Sequence, residues 1–242
     1  MRILLNGAGG RMGKALTAMV EKGSRDAVIA AKVDPFAEGM IPSLAECSAA
    51  CDCIIDFSNH ASTEGLMAYA VANKLPVVVA TTGHTPEELA MIEEASKSVP
   101  VFHSGNMSLG IALLTKLAKQ TAKMFPDADI EIVESHHNQK LDVPSGTALM
   151  LAKSVQEARP EATMLVGRHE NGKRTKQEIG IHSLRMGNTV GIHEVIVNTG
   201  TQIITLKHEA QDRALFAEGA LAAGEFLVGK APGLYTMDDI VE

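Results

Sequence analysis

The stretch Arg2-Ile3-Leu4-Leu5-Asn6-Gly7-Ala8-Gly9-Gly10-Arg11-Met12-Gly13 carries the strongest fold signal in the chain. Its apolar first half predicts a buried strand, and the glycines mark a tight turn into a helix. Glycine there permits the sharp turn, close approach of the backbone to a pyrophosphate, and close packing of helix on strand. The free N–H groups at the start of the helix would face the phosphates. We therefore predict a dinucleotide site formed by Gly7, Ala8, Gly9, Gly10, Arg11 and Met12.

An acidic residue ends the second predicted strand. Asp34 lies about 20 positions after the glycine turn, the spacing expected for a ribose contact. A carboxylate at this position binds the ribose hydroxyls and repels a 2′-phosphate, and residues 35–38 offer no arginine. We predict NADH as the favoured cofactor and NADPH as the alternative, since Lys32 and Arg11 are nearby cations.

Apolar runs alternate with helical patterns through the first hundred residues. Short runs at 2–6, 27–33, 53–55, 76–80 and 99–102 predict strands that are buried on both faces. Strands of this kind, separated by helices, are typical of a parallel sheet covered on both sides. The third of these strands ends in Asp56-Phe57-Ser58, which we expect to contact the cofactor.

The pattern changes after residue 107. Helices are predicted at 110–124, 148–157 and 212–228, and a strand is predicted at 130–133. Three stretches at 178–185, 191–198 and 202–208 alternate polar and apolar residues, which predicts an antiparallel sheet with one face in solvent.

The predicted fold class is α/β. A Rossmann-like doubly wound parallel sheet would form a dinucleotide-binding domain from residues 1–107 and 213–242. Residues 108–212 would form an α+β domain with a mixed or antiparallel sheet, for substrate binding and oligomerisation.

Composition excludes several classes of function. The chain has 242 residues, a net charge of −7 and 3% aromatic residues, which argues against nucleic-acid binding. Its apolar runs are too short for a membrane span or a signal peptide, so we predict a cytoplasmic protein without membrane contact. Cys47, Cys51 and Cys53 lack a second Cys/His cluster, so we expect reduced thiols and no metal.

The richest chemistry lies in residues 134–148, which read Glu-Ser-His-His-Asn-Gln-Lys-Leu-Asp-Val-Pro-Ser-Gly-Thr-Ala. His136, His137 and Lys140 are proton donors of different intrinsic pKa. Gly146 and Thr147 lead into the helix predicted at 148–157, so their N–H groups would face an anion. The combination suits a small anionic substrate, and the alternative is a polar surface loop with incidental histidines. The other histidines, His193 and His208 among them, show no metal spacing, and His208 is predicted to be structural or solvent-facing.

Residues 131–148 resemble the signature of the dihydrodipicolinate reductase (4-hydroxy-tetrahydrodipicolinate reductase) family. The resemblance extends to residues 7–13 and 224–241. It implies reduction of 4-hydroxy-tetrahydrodipicolinate, a cyclic dicarboxylate, to tetrahydrodipicolinate in the diaminopimelate route to lysine. Hydride from NADH or NADPH would reach ring carbon C4. The resemblance also implies a homotetramer, for which we expect an exposed apolar sheet face within residues 178–209.

The resemblance assigns roles to individual residues. His136 would donate and accept a proton, and Lys140 would donate one. Contacts to the substrate would come from His137, Gly146, Thr147 and Arg213. The nicotinamide would lie near Ala80, Thr81, Thr82, Ser104, Gly105, Asn106 and Met107.

Two other functions remain open. A related dehydrogenase of the aspartate or homoserine type would share the nucleotide-binding half, but it would not need two histidines and a lysine beside Ser-Gly-Thr. A nucleotide-binding redox sensor would bind NADH without turnover, and His136 and Lys140 would then have no task.

Overall fold

The computed structural model describes residues 1–241. Glu242, the last residue of the predicted dinucleotide-binding domain, lies outside the described residues. The strands are β1 (Arg2–Asn6), β2 (Val28–Val33), β3 (Cys53–Asp56), β4 (Val77–Val79), β5 (Pro100–His103), β6 (Asp129–His136), β7 (Thr163–Val166), β8 (Glu178–Arg185), β9 (Gly191–Asn198), β10 (Ile203–Ala210) and β11 (Gly233–Tyr235). The α-helices are α1 (Arg11–Glu21), α2 (Thr63–Asn73), α3 (Pro86–Ser96), α4 (Leu109–Met124), α5 (Gly146–Ala158) and α6 (Ala214–Leu227).

The chain divides into two compact units. The first unit comprises Met1–Ser108 and Ala214–Ile240, and the second comprises Leu109–Arg213 with Val241. Ser108, Arg213 and Val241 each fall in the other unit from the one predicted. Within the second unit, the Lys116 ammonium of α4 donates to the Val241 carbonyl oxygen at 2.6 Å.

The first unit contains the predicted parallel sheet. Its strand order is β11-β5-β4-β3-β1-β2, and each neighbouring pair is parallel. The valines of β4 are completely buried, as a strand covered on both faces requires. The strand order reverses between β1 and β3, and ligands of such sheets bind at the carboxyl ends of the strands at this switch point. The predicted fold class is confirmed, but β11 was missed, because three residues carry too little pattern.

The second unit contains a mixed sheet with strand order β10-β9-β6-β8-β7. Its central strand, β6, is antiparallel to β9 and parallel to β8. The expectation that the three late strands form one antiparallel sheet is therefore wrong for β8, which lies on the far side of β6 from β9. Residues 186–190 make that connection. β7, which pairs with β8, was not predicted.

One face of the second sheet forms a core with α4 and α5. Buried isoleucines and valines from β6, β8 and β9 pack against alanines and leucines of the two helices. The apolar side chains of these strands face the core as predicted, because successive side chains of a strand point to opposite faces of the sheet.

The opposite face of this sheet is not the apolar surface that was expected. Glu131 lies across Gly180, where an added Cβ would come within 1.7 Å of its Oε2. The Glu131 carboxylate pairs with His182 Nε2 at 2.8 Å and with the Arg174 guanidinium. Lys207 and Glu194 face each other at 3.5 Å. Charged pairs thus separate the apolar side chains of this face.

Arg159 closes the end of α4. The residue follows α5, is only 5% exposed, and donates to the carbonyl oxygens of Ala122 at 3.3 Å, of Ala128 at 2.8 Å, and of Phe125. Ala122 is among the last four residues of α4, whose carbonyls have no partner within the helix, so the guanidinium satisfies one of them. The Phe125 carbonyl also accepts from Ala128 N–H at 3.1 Å, so there the guanidinium is a second donor.

We predict that Arg159→Met lowers the free energy of unfolding by about 2–3 kcal/mol, because buried carbonyls lose a charged donor. Urea denaturation measures the change. Lys153→Met, on the exposed side of α5, is the matched control and should cost less than about 0.5 kcal/mol. Equal effects of the two substitutions would contradict this account of Arg159.

Candidate functional site

The inner face of the second sheet changes from apolar to polar near one end. There, one row across β10, β9, β6 and β8 consists of His208, His193, Glu134 and Ser183. In the next row Ala210 pairs with Gly191, and His136 pairs with Arg185. The core ends where these rows begin, so the polar side chains stand together at the end of the sheet.

β6 continues three residues further than the sequence pattern predicted. Glu134, Ser135 and His136 belong to the strand rather than to the following loop. Glu134 is completely buried, and Arg185 donates to its two oxygens at 2.8 Å each. Ser145 N–H donates to Glu134 Oε1 at 3.1 Å. A paired and fully hydrogen-bonded carboxylate can be tolerated at a buried strand position.

Glu134 also sets the state of His136. The Nδ1 atom of His136 lies 2.6 Å from Glu134 Oε2. Burial alone raises the pKa of Glu134, but the hydrogen bonds led by Arg185 and His136 outweigh it and lower the pKa to about 2. Because the carboxylate is ionised, neutral His136 carries its proton on Nδ1, and Nε2 is left as the acceptor.

The second nitrogen of His136 faces a gap in β9. A Cβ added at Gly191 would lie 3.1 Å from His136 Nε2, so glycine keeps this edge of the ring clear. Burial lowers the pKa of His136 against the opposing effect of Glu134, and the positive charges of Lys140 and Arg185 lower it further. His136 is thus a neutral proton acceptor near pH 7 that can return the proton it takes.

Lys140 lies in the link between β6 and α5. Its N–H donates to the His137 carbonyl oxygen at 3.2 Å, and its Nζ pairs with Asp142 Oδ1 at 2.9 Å. The Lys140 ammonium lowers the pKa of Asp142. His137 is half-buried. Lys140 is therefore paired with a carboxylate of its own loop.

The other predicted substrate contacts lie at the start of α5 and at the unit boundary. Gly146 and Thr147 form the first turn of α5, and the Ser145 hydroxyl caps it by accepting from Ala148 N–H at 3.2 Å. Ser145 thereby connects the helix start to Glu134. Arg213 is exposed and ends the second unit, three residues beyond Ala210.

Sequence reasoning missed Glu134, Arg185 and His193. An acid two positions before His136 on a strand shares its face, and that signal was available for Glu134. Arg185 could not be found, because the alternating pattern of β8 does not show that β8 pairs with β6. His193 was set aside for lack of metal spacing, whereas its ring packs edge to face against His136 with centroids 5.2 Å apart.

The first unit holds the predicted glycine turn at the end of β1. Gly7 has φ +75°, and a Cβ there would come within 2.5 Å of the Phe57 carbonyl oxygen. At Gly13 an added Cβ would lie 2.3 Å from the Gly7 carbonyl oxygen. Gly10 is the N-cap of α1, so the backbone N–H groups that follow it are free for an anion. Of the turn residues, Ala8 is buried and Arg11 is exposed.

Asp34 stands beside this turn. Its Oδ2 accepts from Gly9 N–H at 3.0 Å, and its Oδ1 accepts from Phe36 N–H at 2.9 Å. The carboxylate is therefore fixed next to the turn, at the end of β2, as the predicted ribose contact requires.

A buried carboxylate, Asp56, connects the ends of three strands. It accepts from Asn6 Nδ2 at 2.8 Å, from the Ser58 hydroxyl at 2.5 Å and from the Thr81 hydroxyl at 2.6 Å. Burial raises the pKa of Asp56, and these hydrogen bonds lower it in part. The carboxylate thus fixes Thr81 beside the glycine turn; Ala80 is half-buried and Thr82 is exposed.

The second segment predicted near the nicotinamide follows β5. The Ser104 hydroxyl donates to the Asn106 carbonyl oxygen at 3.2 Å, and Ser108 N–H donates to Asn106 Oδ1 at 2.8 Å. Gly105 is exposed, whereas Met107 is buried with only 4% exposure. Exposed groups of this segment are therefore polar or backbone groups.

Residues 1–241 contain no group of three His, Cys, Asp or Glu side chains arranged to hold a metal ion. In the same residues, none of the helices has the length and apolarity needed to cross a bilayer.

Comparison with known proteins identifies the family. A model of the dihydrodipicolinate reductase N-terminus matches residues 1–107, and a model of its C-terminus matches residues 110–241. The chain belongs to the dihydrodipicolinate reductase family. The predicted family and the predicted enzyme class, an oxidoreductase, are confirmed.

Individual members of the family match over their full length. The 4-hydroxy-tetrahydrodipicolinate reductases of Caldanaerobacter subterraneus subsp. tengcongensis and Clostridium novyi are 44% and 43% identical to the chain, covering 100% of it and 98% of each relative. The dipicolinate-bound dihydrodipicolinate reductase structure from Paenisporosarcina sp. TG-14 is 24% identical, with 99% of both chains covered and a TM-score of 0.79. At that identity the structural match supports the fold.

We predict that Glu134→Gln lowers the pKa of His136 further. The substitution removes the anion that stabilises the imidazolium and leaves Arg185 uncompensated, and both changes favour neutral imidazole. Histidine side-chain NMR across a pH titration measures this pKa. Glu131→Gln, on the opposite face of β6, is the control and should leave it unchanged. An unchanged or raised pKa in Glu134→Gln would contradict the electrostatic account.

Proposed function

We propose that the chain reduces 4-hydroxy-tetrahydrodipicolinate to tetrahydrodipicolinate with a reduced pyridine nucleotide, in the diaminopimelate route to lysine. The observation that carries the proposal is the Glu134–His136 pair beside the capped start of α5. This arrangement joins a proton carrier to a site for an anion. Relatives that match the whole chain bear the name of this activity.

The first unit would bind the nucleotide. Gly7 and Gly13 pack directly on neighbouring backbone, which keeps this turn tight. The backbone of a glycine turn of this kind can approach a pyrophosphate closely. Asp34 would bind the ribose, and the segments 80–82 and 104–107 would flank the nicotinamide. When bound, the nucleotide supplies the hydride. A related dehydrogenase of the aspartate or homoserine type would share such a unit, but it would not need His136, His137 and Lys140 beside the start of α5.

The second unit would bind the dicarboxylate and move protons. Lys140, His137, Arg213 and the N–H groups of Gly146 and Thr147 would hold the two carboxylates. The substrate would lose its C4 hydroxyl, together with a proton from the adjacent ring carbon, as water, and hydride would then be added at C4. The electron pair displaced by hydride addition must then be protonated. His136 and Lys140 would supply that proton, and His136 can exchange it through Nε2.

We also propose a homotetramer in the cytoplasm. The charged outer face of the second sheet, with Glu131, Arg174 and Lys207, would then meet its copies through ion pairs rather than through an apolar surface. The mass of the particle in solution, from light scattering, decides its oligomeric state.

We predict that the purified protein oxidises NADH when supplied with the product of dihydrodipicolinate synthase. His136→Gln and Lys140→Ala should each lower kcat at least about 100-fold, because each removes a proton donor. Thermal unfolding of both variants should match that of the original protein. Gln139→Ala, an exposed neighbour in the same loop, is the control and should keep full activity.

Two outcomes would overturn the proposal. Full activity in a His136→Gln/Lys140→Ala double variant would exclude the assigned chemistry. Tight NADH binding without turnover of this substrate would favour the redox sensor.

The cofactor preference follows from Asp34. We predict a higher kcat/KM with NADH than with NADPH, and we expect Asp34→Asn to raise the NADPH/NADH ratio of kcat/KM about tenfold. Asparagine keeps an acceptor for Gly9 N–H and removes the charge that repels a 2′-phosphate. Glu38→Gln, an exposed acid four residues on, should leave the ratio unchanged. A strong preference of the unaltered protein for NADPH would refute the assignment.

A further inference from the structure

His193 lies between the two functional parts of the second unit. It is 4% exposed and stands opposite Glu134 in the pairing of β9 with β6. Its Nε2 is 3.2 Å from the Ser145 hydroxyl, and its ring packs edge to face against His136 at a centroid distance of 5.2 Å. One buried ring thus contacts both the proton carrier and the cap of α5.

Ser145 has three polar contacts, and the third depends on His193. Its N–H donates to Glu134, and its hydroxyl oxygen accepts from Ala148 N–H. The hydroxyl hydrogen remains, and it can be donated to His193 Nε2, 3.2 Å away, when neutral His193 carries its proton on Nδ1. Without that acceptor the hydroxyl could rotate, and the lone pair that caps α5 would lose its fixed direction.

The surroundings of His193 keep it neutral. Burial, followed by the nearby His136, lowers the pKa of His193 to about 4. His208 on β10 and Lys140 act in the same direction, while Glu134 opposes them. A neutral ring can accept from Ser145 and can remain beside His136 when His136 becomes charged.

We propose that His193 is a positioning residue of the reductase site, which holds the Ser145 cap in place and packs against His136. His193 then fixes the position of the His136 imidazole, which moves the proton, relative to the start of α5, which receives a substrate carboxylate. This inference rests on the proposed function and adds a residue to it. His193 itself need not contact the substrate.

The test compares His193→Phe with His193→Gln. Phenylalanine keeps a ring against His136 but cannot accept from Ser145, whereas the glutamine carboxamide oxygen can. We expect His193→Phe to raise both the substrate KM and the dissociation constant of dipicolinate about fivefold, the effect of one lost hydrogen bond. The KM for NADH should stay within about twofold, and His193→Gln should recover most of the loss.

A double-variant cycle tests the route through Ser145. If His193 acts through the cap, His193→Phe in a Ser145→Ala background should change the dipicolinate dissociation constant less than about twofold. His208→Phe, in the same row but one strand further from His136, is the packing control and should have little effect on dipicolinate binding.

Several outcomes would overturn the inference. These are unchanged dipicolinate binding in His193→Phe, an equal rise in the NADH KM, no recovery in His193→Gln, or additive losses in the double variant. Dipicolinate binding by calorimetry needs no turnover, so it tests His193 even if the assay for the proposed function fails. If His193→Phe does not fold, His193→Gln, Ser145→Ala and their double variant replace it in the cycle. Loss of dipicolinate binding in His193→Gln would then be the contrary result.

Discussion

The buried pair between Glu134 and Arg185 is the interaction on which the second unit's site depends. Burying the Glu134 carboxylate at the edge of an apolar core would be costly without a partner. The Arg185 guanidinium on the neighbouring parallel strand compensates its charge. With the charge held there, β6 can continue to His136, whose Nδ1 gains an acceptor. Ser145 N–H gains an acceptor as well, which places the start of α5. The Glu134 carboxylate therefore positions both His136 and the start of α5.

The first unit uses a carboxylate in a similar place for a different purpose. Asp56 ends β3 and collects donors from Asn6, Ser58 and Thr81. Its donors are neutral, so burial dominates and its pKa is raised; the guanidinium beside Glu134 has the opposite result. Asp56 thus acts as a joint between the glycine turn and the Thr81 segment, whereas Glu134 maintains a negative charge that orients an imidazole.

The features predictable from sequence were those encoded within short segments. The glycine turn, the buried strands of the first sheet, and the segment with His136 and Lys140 each lie in one continuous stretch. Alternation in the late strands gave the face of each side chain but not the neighbouring strand, because a period of two is the same in parallel and antiparallel pairs. Arg185 and His193 reach the site only through strand pairing, and so the sequence pattern left them out. β11 forms because β5 offers an open edge, which no local pattern records.

The parallel pairing of β6 with β8 has a consequence for how the second unit folds. β9 and β10 are joined by a short turn and can pair early, whereas β6 pairs with both β8 and β9 across long stretches of chain, with Glu134 and Arg185 51 positions apart. Closing so long a loop costs entropy before any contact is gained, so β6 is expected to join its neighbours late. Until it does, the Glu134 carboxylate lacks its partner, the Arg185 guanidinium, and burying the unpaired charge beneath α5 would be costly. The docking of α5 on this end of the sheet and the orientation of His136 are then both coupled to the insertion of β6 between β8 and β9.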